Sequence, residues 1–231
     1  MTGRRMRKLL AFLILLLVLL AILDRVAVAG VEKEIATRAT ARYDLAAPPE
    51  VTVHGIPFLT QAVAGRYDEV EVKVGALNVA GVRLSGVDAV LYGVTAPLSD
   101  LVLRADQVDV RAERVVGTIV VPEATLNQRA PKGMQVDVSA SGLDVRGQIT
   151  FLGQKVPVKA GMKIELTDEG LRLTPEKVTL GGGITVPDPE RFIRYEVPIG
   201  NLPFGLKVTE VTPVAGGLRI TAEAADVPLQ N

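Results

Sequence analysis

The chain has 231 residues, of which 48% are hydrophobic and 4% aromatic, with no cysteine and one histidine. The lack of cysteine excludes disulfide scaffolds, thiolate zinc sites and cysteine nucleophiles, and a single histidine excludes a two-histidine metal motif. The 26 basic and 26 acidic side chains balance, but residues 1–8 contain four of the basic ones, which leaves 22 basic against 26 acidic. Because nucleic-acid binders need a basic surface, this acidic body argues against one. The composition also argues against an enzyme, and it indicates neither a metal nor a cofactor.

An unbroken apolar segment follows the basic tip. All fifteen residues over 9–23 are apolar, and Asp24-Arg25 comes next. The basic flank, the apolar core and the small residues at 27–29 match the three parts of a cleaved secretory signal. An uncleaved anchor is the alternative. Either one places the following residues outside the cytoplasm, in the cell envelope, and leaves the N-terminus inside.

The anchor alternative depends on the length of this segment. Fifteen helical residues span about 22 Å, which is short of the ~30 Å hydrocarbon core. Continuation to Ala29 closes the gap only if Asp24 and Arg25 tolerate the outer interface, which snorkelling makes easier for Arg25 than for Asp24. In an anchor, the side chains in the membrane would include Leu9, Phe12, Leu16, Leu20 and Leu23.

A long amphipathic helix is expected over residues 24–46. Val31, Ile35, Ala39 and Tyr43 recur there every four residues, and Pro48-Pro49 ends the pattern. If this helix continues from the apolar segment, it holds the rest of the chain close to the bilayer. We therefore expect a basic tip with a signal or anchor segment over 1–29 and one extracytoplasmic lipid-binding domain over 30–231, with two smaller domains as the alternative.

Period-two alternation of apolar and polar residues dominates the remaining chain and predicts about nine or ten antiparallel strands. The clearest strands are expected at 51–54, 70–74, 107–113, 135–139, 143–151, 155–166, 202–208 and 218–224. Short helices are expected within 55–65 and over 122–129 and 188–195. Gly181-Gly182-Gly183 is expected to be a tight turn or hinge, because no Lys-Ser/Thr follows it as in a phosphate loop.

The predicted long helix is too narrow to cover one face of the predicted sheet if that sheet is flat. A helix of about 20 residues is roughly 30 Å long and about 10 Å wide, whereas ten strands make a sheet about 48 Å across. One helix covers such a sheet only if the sheet curls around it or closes on itself. The inward residues are mostly Val, Ala, Gly and Leu, which suits either a groove for an acyl chain or a filled core. The expected fold class is therefore α+β, with a long curved antiparallel sheet wrapping a long N-terminal helix.

Two motifs resemble those of a known family. Gly55-Ile56-Pro57-Phe58-Leu59-Thr60-Gln61, after the Val51–Val53 strand, is similar to the G-(F/I)-P-F-L-T-Q signature of LmeA-type phospholipid-binding proteins of the actinobacterial cell envelope. Residues 199–206, with Val211 and Gly217-Leu218, resemble the closing pattern of that family. The resemblance spans residues 20–227, although 95–165 matches only in strand rhythm and 120–126 lacks a tyrosine-containing turn.

The resemblance implies an exported or membrane-tethered protein that binds phospholipid, inositol phospholipids among them, and supports lipid-linked mannan (lipomannan) assembly. It also implies a fold akin to tubular lipid-binding domains. Such a fold agrees with the curved sheet that the widths of the predicted helix and sheet require. The candidate lipid-binding residues are Ile56, Phe58, Leu59, Val63, Val70, Val72, Val74, Leu202, Phe204 and Leu206. A packed corner for residues 55–61 is the structural alternative, and Pro203 suggests that the second group lies on an edge strand.

Two other functions are weighed against lipid binding. One is a structural or adaptor domain with a filled core that recruits a membrane glycosyltransferase by strand addition. The other is an extracytoplasmic hydrolase, which is the weakest because His54 has a base and an orienting acid only by coincidence. Lys155, Lys159 and Lys163 share one strand face, where they either attract anionic headgroups or are simply solvated.

Overall fold

The computed structural model describes residues 2–79, 82–96, 110–130, 132–151, 154–167, 170–187, 189, 195–198 and 202–229. The helices are α1 (Thr2–Tyr43), α2 (Phe58–Ala64) and α3 (Glu123–Arg129), with a 3-10 turn at Pro203–Gly205. The strands are β1 (Glu50–His54), β2 (Arg66–Val74), β3 (Leu77–Val79), β4 (Val82–Leu84), β5 (Val87–Thr95), β6 (Arg111–Pro122), β7 (Met134–Ser139), β8 (Gly142–Phe151), β9 (Gln154–Thr167), β10 (Gly170–Leu180), β11 (Ile184–Val186), β12 (Tyr195–Pro198), β13 (Lys207–Val214) and β14 (Gly217–Pro228).

The N-terminal helix is continuous through the junction between the apolar segment and the amphipathic segment. It is 42 residues long, and it is long and apolar enough to cross a membrane. The helix ends at Tyr43 because Asp44 adopts a left-handed conformation with φ 47°, and the Leu45 amide donates to the Thr40 carbonyl at 3.1 Å. The predicted helix over 24–46 is thus confirmed, ending three residues earlier than expected.

Two compact units make up the chain. Unit 1 comprises Met1–Lys73, Val90–Arg114 and Ala225–Asn231, and unit 2 comprises Val74–Ala89 and Val115–Ala224. The strands β2, β5, β6 and β14 have residues in both units. The expected boundary between an anchor and a single domain at residues 29 and 30 stays a prediction.

Unit 1 contains α1, α2 and β1, together with its parts of β2, β5, β6 and β14, in the strand order β1-β2-β5-β6-β14. The strands β1 and β2 are antiparallel, with Val51 opposite Val72 and Val53 opposite Val70. The alternating valines place one face of this pair in the core, as period-two spacing requires. The buried residues of this unit include Val28, Val51, Val53, Phe58, Ala62, Tyr67, Val70, Val94, Ala112 and Val227.

Unit 2 contains an antiparallel sheet in the order β11-β10-β9-β8-β7, with β12 paired to β10. Its parts of β6 and β14 are followed by β13 in a second sheet, and β3 pairs with β4. Val138, Leu143 and Leu218 form a buried cluster, with Leu126 of α3 and Met162 of β9 packed against it. The core of this unit therefore lies where α3 and β14 meet the sheet.

The fold-class prediction is confirmed in its main parts: the protein is α+β, with a long N-terminal helix and antiparallel sheets. Within the residues described there are fourteen strands, distributed over two larger sheets and a two-stranded ribbon, rather than nine or ten. The wrapping of a sheet around α1 stays a prediction.

One local prediction is wrong. Residues 202–208 do not form one strand, because Pro203 begins a 3-10 turn in which Phe204 is left-handed at φ 59°, and β13 starts only at Lys207. The helix predicted over 188–195 falls mostly outside the described residues, and its last residue, Tyr195, begins β12. The predicted turn at 181–183 and the helix over 122–129 are confirmed, the latter as Glu123–Arg129.

Candidate functional site

The sheet of unit 2 has one apolar and one polar face. Residues opposite each other in neighbouring antiparallel strands point to the same face, and successive residues alternate. One cross-strand row consists of Met134, Gly147, Val158, Leu180 and Ile184. The adjacent row, on the other face, consists of Gln135, Arg146, Lys159, Thr179 and Thr185.

The apolar face is covered at one end and open at the other. At the covered end, Val138 and Leu143 are 6% and 5% exposed beneath Leu218 of β14. Toward the other end of the strands, Val158 and Leu180 are only half-buried, and Ile184 is 63% exposed. A sheet that buries half of an apolar face leaves a surface on which an apolar ligand can replace water.

A groove of about 810 Å³ lies over the same strands. It is lined by Gly133, Met134, Gln135, Arg146, Gly147, Gln148, Pro157, Val158, Lys159, Thr179, Leu180 and Gly181. Its size falls within the range of roughly 300–1,000 Å³ that is typical of small-molecule sites. Glycine is needed at position 147, because a Cβ there would lie 2.4 Å from the Gly133 carbonyl oxygen and 2.5 Å from the Met134 sulfur.

Two cationic residues of the polar row, Arg146 and Lys159, are among the lining residues, although their side chains point to the other face of the sheet. Arg146 pairs with Asp137, and the Lys159 Nζ lies 3.3 Å from Asp144 Oδ2. The Arg146 and Lys159 side chains are 59% and 64% exposed, and exposed ion pairs are worth only about 0–1 kcal/mol. A phosphate can therefore compete for these cations at little cost.

The β7 edge of the sheet is already occupied by α3. The Asn127 side chain accepts from the Val136 amide at 2.7 Å and donates to the Val136 carbonyl at 2.8 Å. Glu123 Oε2 accepts from the Val138 amide at 2.8 Å. Because these side chains use the outward backbone groups of β7, strand addition to this stretch would first have to displace them.

In unit 1, residues 55–65, which contain the signature, form a corner between β1 and β2 that is called the signature corner below. The Gln61 side chain donates to the His54 carbonyl at 3.1 Å and accepts from the Asp68 amide at 2.9 Å. Gly55 is positioned against this side chain, since a Cβ there would lie 2.3 Å from Gln61 Nε2. Phe58 stacks on Tyr67 with 5.9 Å between ring centroids. Gly55, Phe58 and Gln61 therefore have structural roles in this corner.

The corner is fastened to α1 by Asp24. The Leu59 amide donates to Asp24 Oδ1 at 2.8 Å, and Arg25 Nη2 donates to Asp24 Oδ2 at 2.5 Å. Pro57, at the N-cap of α2, provides no side-chain hydrogen bond, so the carboxylate of Asp24 satisfies amides that the first turn leaves free. Asp24 is only 4% exposed. This role cannot be predicted from the position of Asp24 as the first acidic residue of the chain, because it depends on a contact with Leu59, 35 residues away.

The predicted lipid-binding residues occupy different environments. In unit 1, Phe58 and Val70 are buried, Leu59 and Val72 are half-buried, and Ile56 and Val63 are exposed. In unit 2, Val74, Leu202 and Leu206 are half-buried and Phe204 is 44% exposed. Phe58 and Val70 thus contribute to the core of unit 1. The lipid-binding role of the ten residues stays a prediction.

His54 lies among exposed charges. Its Nε2 is 3.8 Å from Glu69 Oε1 and 3.6 Å from Glu71 Oε2, and Lys73 Nζ is 2.9 Å from Glu71 Oε1. The hydrogen bond from Lys73 is the main cause that holds the pKa of Glu71 below its usual value. In the described part of the chain, no group of three or more His, Asp or Glu side chains could hold a metal ion.

The chain matches the model of a protein family. A family model described as LmeA-like phospholipid-binding matches residues 22–223 of the chain. The match covers both motifs quoted above, the Asp24-Arg25 pair and the whole of the unit 2 sheet. Searches of curated proteins and of solved structures find no match.

Proposed function

The chain belongs to the LmeA-like phospholipid-binding family, and we propose on this premise that it holds the acyl chains of one phospholipid against the open apolar face of unit 2. The observation that supports this site is the uneven covering of the sheet, from 5% exposure at Leu143 to 63% at Ile184. Each methylene that leaves water contributes about 0.8 kcal/mol, so about ten of them offset several kcal/mol of ordering cost. The role is binding, with no covalent chemistry.

The proposed ligand is an anionic lipid such as an inositol phospholipid, which the resemblance of the two motifs implies. Arg146 and Lys159 belong to the polar row, so their side chains lie on the other face of the sheet from the bound acyl chains and do not hold the phosphate of this lipid.

The proposal includes an uncleaved membrane anchor. Cleavage after Ala29 would remove Asp24, which holds the first turn of α2, and Val28, which is 7% exposed. Because Asp24 and Val28 belong to the folded unit, we expect the helix to stay attached to it. Asp24 also tolerates the membrane interface, because Arg25 and the Leu59 amide satisfy its carboxylate. The N-terminus then lies in the cytoplasm, and unit 2 and the part of unit 1 that follows the span lie in the cell envelope.

At the cellular level, the bound lipid is held or shuttled for lipid-linked mannan assembly. Envelope glycosyltransferases are the partners that this role implies. The support is the family resemblance of the two motifs at 55–61 and 199–206. Restoration of lipomannan in a deficient host, by the wild-type chain and not by a chain with a blocked groove, tests this part of the proposal.

The binding site is tested with two neighbouring residues of β11. Ile184 continues the apolar row and Thr185 the polar row, and both are exposed, so aspartate at either position costs little folding free energy. We expect the full-length chain in detergent to retain phospholipid in native mass spectrometry. We expect Ile184→Asp to bind it about tenfold or more weakly, and Thr185→Asp to bind it normally.

Two results would contradict the proposal. A wild-type chain that is free of lipid and takes none from phosphatidylinositol vesicles would favour the alternative, an adaptor domain with a filled core. Equal binding by Ile184→Asp and Thr185→Asp would place the lipid elsewhere than on the open end of this face.

A further inference from the structure

Two large apolar side chains of the signature corner are exposed. Ile56 is 83% and Val63 is 82% exposed, whereas Phe58 and Ala62 are 3% and 7% exposed. Val63 lies four residues after Leu59, so these two side chains share a face of α2 that is rotated by about 100° from the face of Phe58 and Ala62. The corner therefore has a buried face and a separate apolar face that the described part of the chain leaves open.

This open face lies where the apolar segment of α1 ends. Asp24 is the first polar residue after Leu23, and its carboxylate accepts from the Leu59 amide at 2.8 Å. The contact fixes the first turn of α2 at this level of α1. On α1 itself, Leu23 and Val26 are 50% and 66% exposed at the same level. Exposed apolar side chains thus occur on α1 at this level and on the corner that is hydrogen-bonded to it.

We propose that Ile56 and Val63 insert into the interfacial region of the outer leaflet of the bilayer that α1 spans. This inference rests on the proposed anchoring of α1, and the partner is a phospholipid surface. The apolar segment of fifteen residues is about 22 Å long, so a hydrocarbon core of ~30 Å brings residues just beyond Leu23 into the interface. Because α2 is fastened at Asp24, the side chains of the corner enter the interface with them.

The two charged side chains at this level of α1, Asp24 and Arg25, are compatible with the membrane interface. Asp24 is 4% exposed and has its carboxylate satisfied within the protein. The Arg25 side chain is 52% exposed and can reach lipid phosphates by snorkelling. A single spanning helix leaves unit 1 free to rotate about the helix axis, and a second membrane contact removes this freedom. The corner then sets which side of unit 1 faces the bilayer.

The natural chain has no tryptophan, so a single substitution introduces a unique fluorophore. Ile56→Trp and Val63→Trp are suitable because both side chains are more than four-fifths exposed. Leu16→Trp reports on the membrane span. Tyr43→Trp, at a side chain that is 55% exposed, lies twenty residues beyond Leu23, which is about 30 Å along the helix. Each full-length variant is reconstituted into phosphatidylcholine–phosphatidylglycerol vesicles with or without brominated acyl chains.

We expect Ile56→Trp and Val63→Trp to show blue-shifted emission and to lose most of it in brominated vesicles, as Leu16→Trp does, while Tyr43→Trp keeps its emission. Quenching of Leu16→Trp without quenching of Ile56→Trp and Val63→Trp overturns the membrane contact and leaves the anchor intact, as would be seen if a protein partner covered the corner. If Leu16→Trp is not quenched, α1 does not span the bilayer, and both the anchor and the inference are overturned.

Discussion

Asp24 and Leu59 are 35 residues apart in the chain and are joined by a hydrogen bond of 2.8 Å from the Leu59 amide to Asp24 Oδ1. This bond fastens the signature corner to the helix that carries the apolar segment. A second bond of the same kind lies further along α1, where Glu32 Oε1 accepts from the Val53 amide at 2.9 Å. Two acidic side chains of α1 thus satisfy backbone amides of α2 and β1.

Removal of the Asp24 carboxylate should loosen α2. In the Asp24→Ala variant, the amides of Phe58 and Leu59 lose their acceptor, and a helix start without a cap frays. We expect hydrogen exchange of peptides covering 55–64 to accelerate roughly tenfold or more in detergent-solubilised protein. The control is Glu34→Ala, whose partner Arg38 is an exposed neighbour on the same helix. Equal exchange in both variants would show that the Asp24 contact does not hold α2.

Shortening the chain should show whether residues 24–29 belong to the folded unit. A chain of residues 30–231 loses Asp24 and Val28, whereas a chain of residues 23–231 keeps both without most of the apolar segment. We expect the shorter chain to unfold at a lower temperature, because its α2 lacks the Asp24 acceptor and its core lacks the Val28 side chain. Equal melting temperatures would favour a signal that is cleaved after Ala29.

The elements that could be predicted are those with a local periodic pattern. Apolar and polar residues alternate without interruption in strands β7, β8 and β9, so the sequence shows which face of the sheet each residue occupies. Strand β10 was not predicted, because the register shifts between Pro175 and Lys177 and a bulge at this point moves the alternation out of phase. The alternation over 202–208 predicts one strand, but Pro203 starts a turn in which Phe204 is left-handed, so the strand does not form there.

The candidate sites divide in the same way. The apolar alternation of the unit 2 strands is visible in the sequence, but the open end of the apolar face is not, because it depends on where β14 and α3 lie over the sheet. The signature residues could be found by resemblance, whereas the role of Asp24 needs a contact over 35 residues. Burial of Phe58 next to exposure of Ile56 and Val63 likewise depends on how α2 docks.

The stability of unit 1 should fall at high pH because of Tyr67. Its phenol stacks on Phe58, and burial raises the pKa of Tyr67 above its usual value of 10.0. The folded state therefore binds this proton more tightly than the unfolded state, so the stabilisation is complete below pH ~10 and is lost as the pH rises through the two pKa values. In a titration of phenolate absorbance, we expect one late-ionising component that is missing in Tyr67→Phe. A Tyr67→Phe chain with an unchanged titration would contradict the assignment.

Two glycines on opposite faces of the unit 2 sheet provide a test of the groove. A Cβ at Gly147 would lie 2.4 Å from a backbone oxygen of Gly133, whereas a Cβ at Gly161 would lie 3.6 Å from Asp144 Oδ1, which is an ordinary contact. The first clash involves backbone, so it must be relieved by displacing the start of β7, and overpacking of this kind costs about 1–3 kcal/mol.

We therefore expect Gly147→Ala to lower the melting temperature and the occupancy by phospholipid in native mass spectrometry. Gly161→Ala should change neither, because its Cβ fits and its side of the strand belongs to the polar face. If Gly147→Ala melts at a lower temperature but still binds phospholipid fully, the lipid does not depend on the groove beside β7. Reduced occupancy in both variants would mean that occupancy follows stability rather than the geometry of this face.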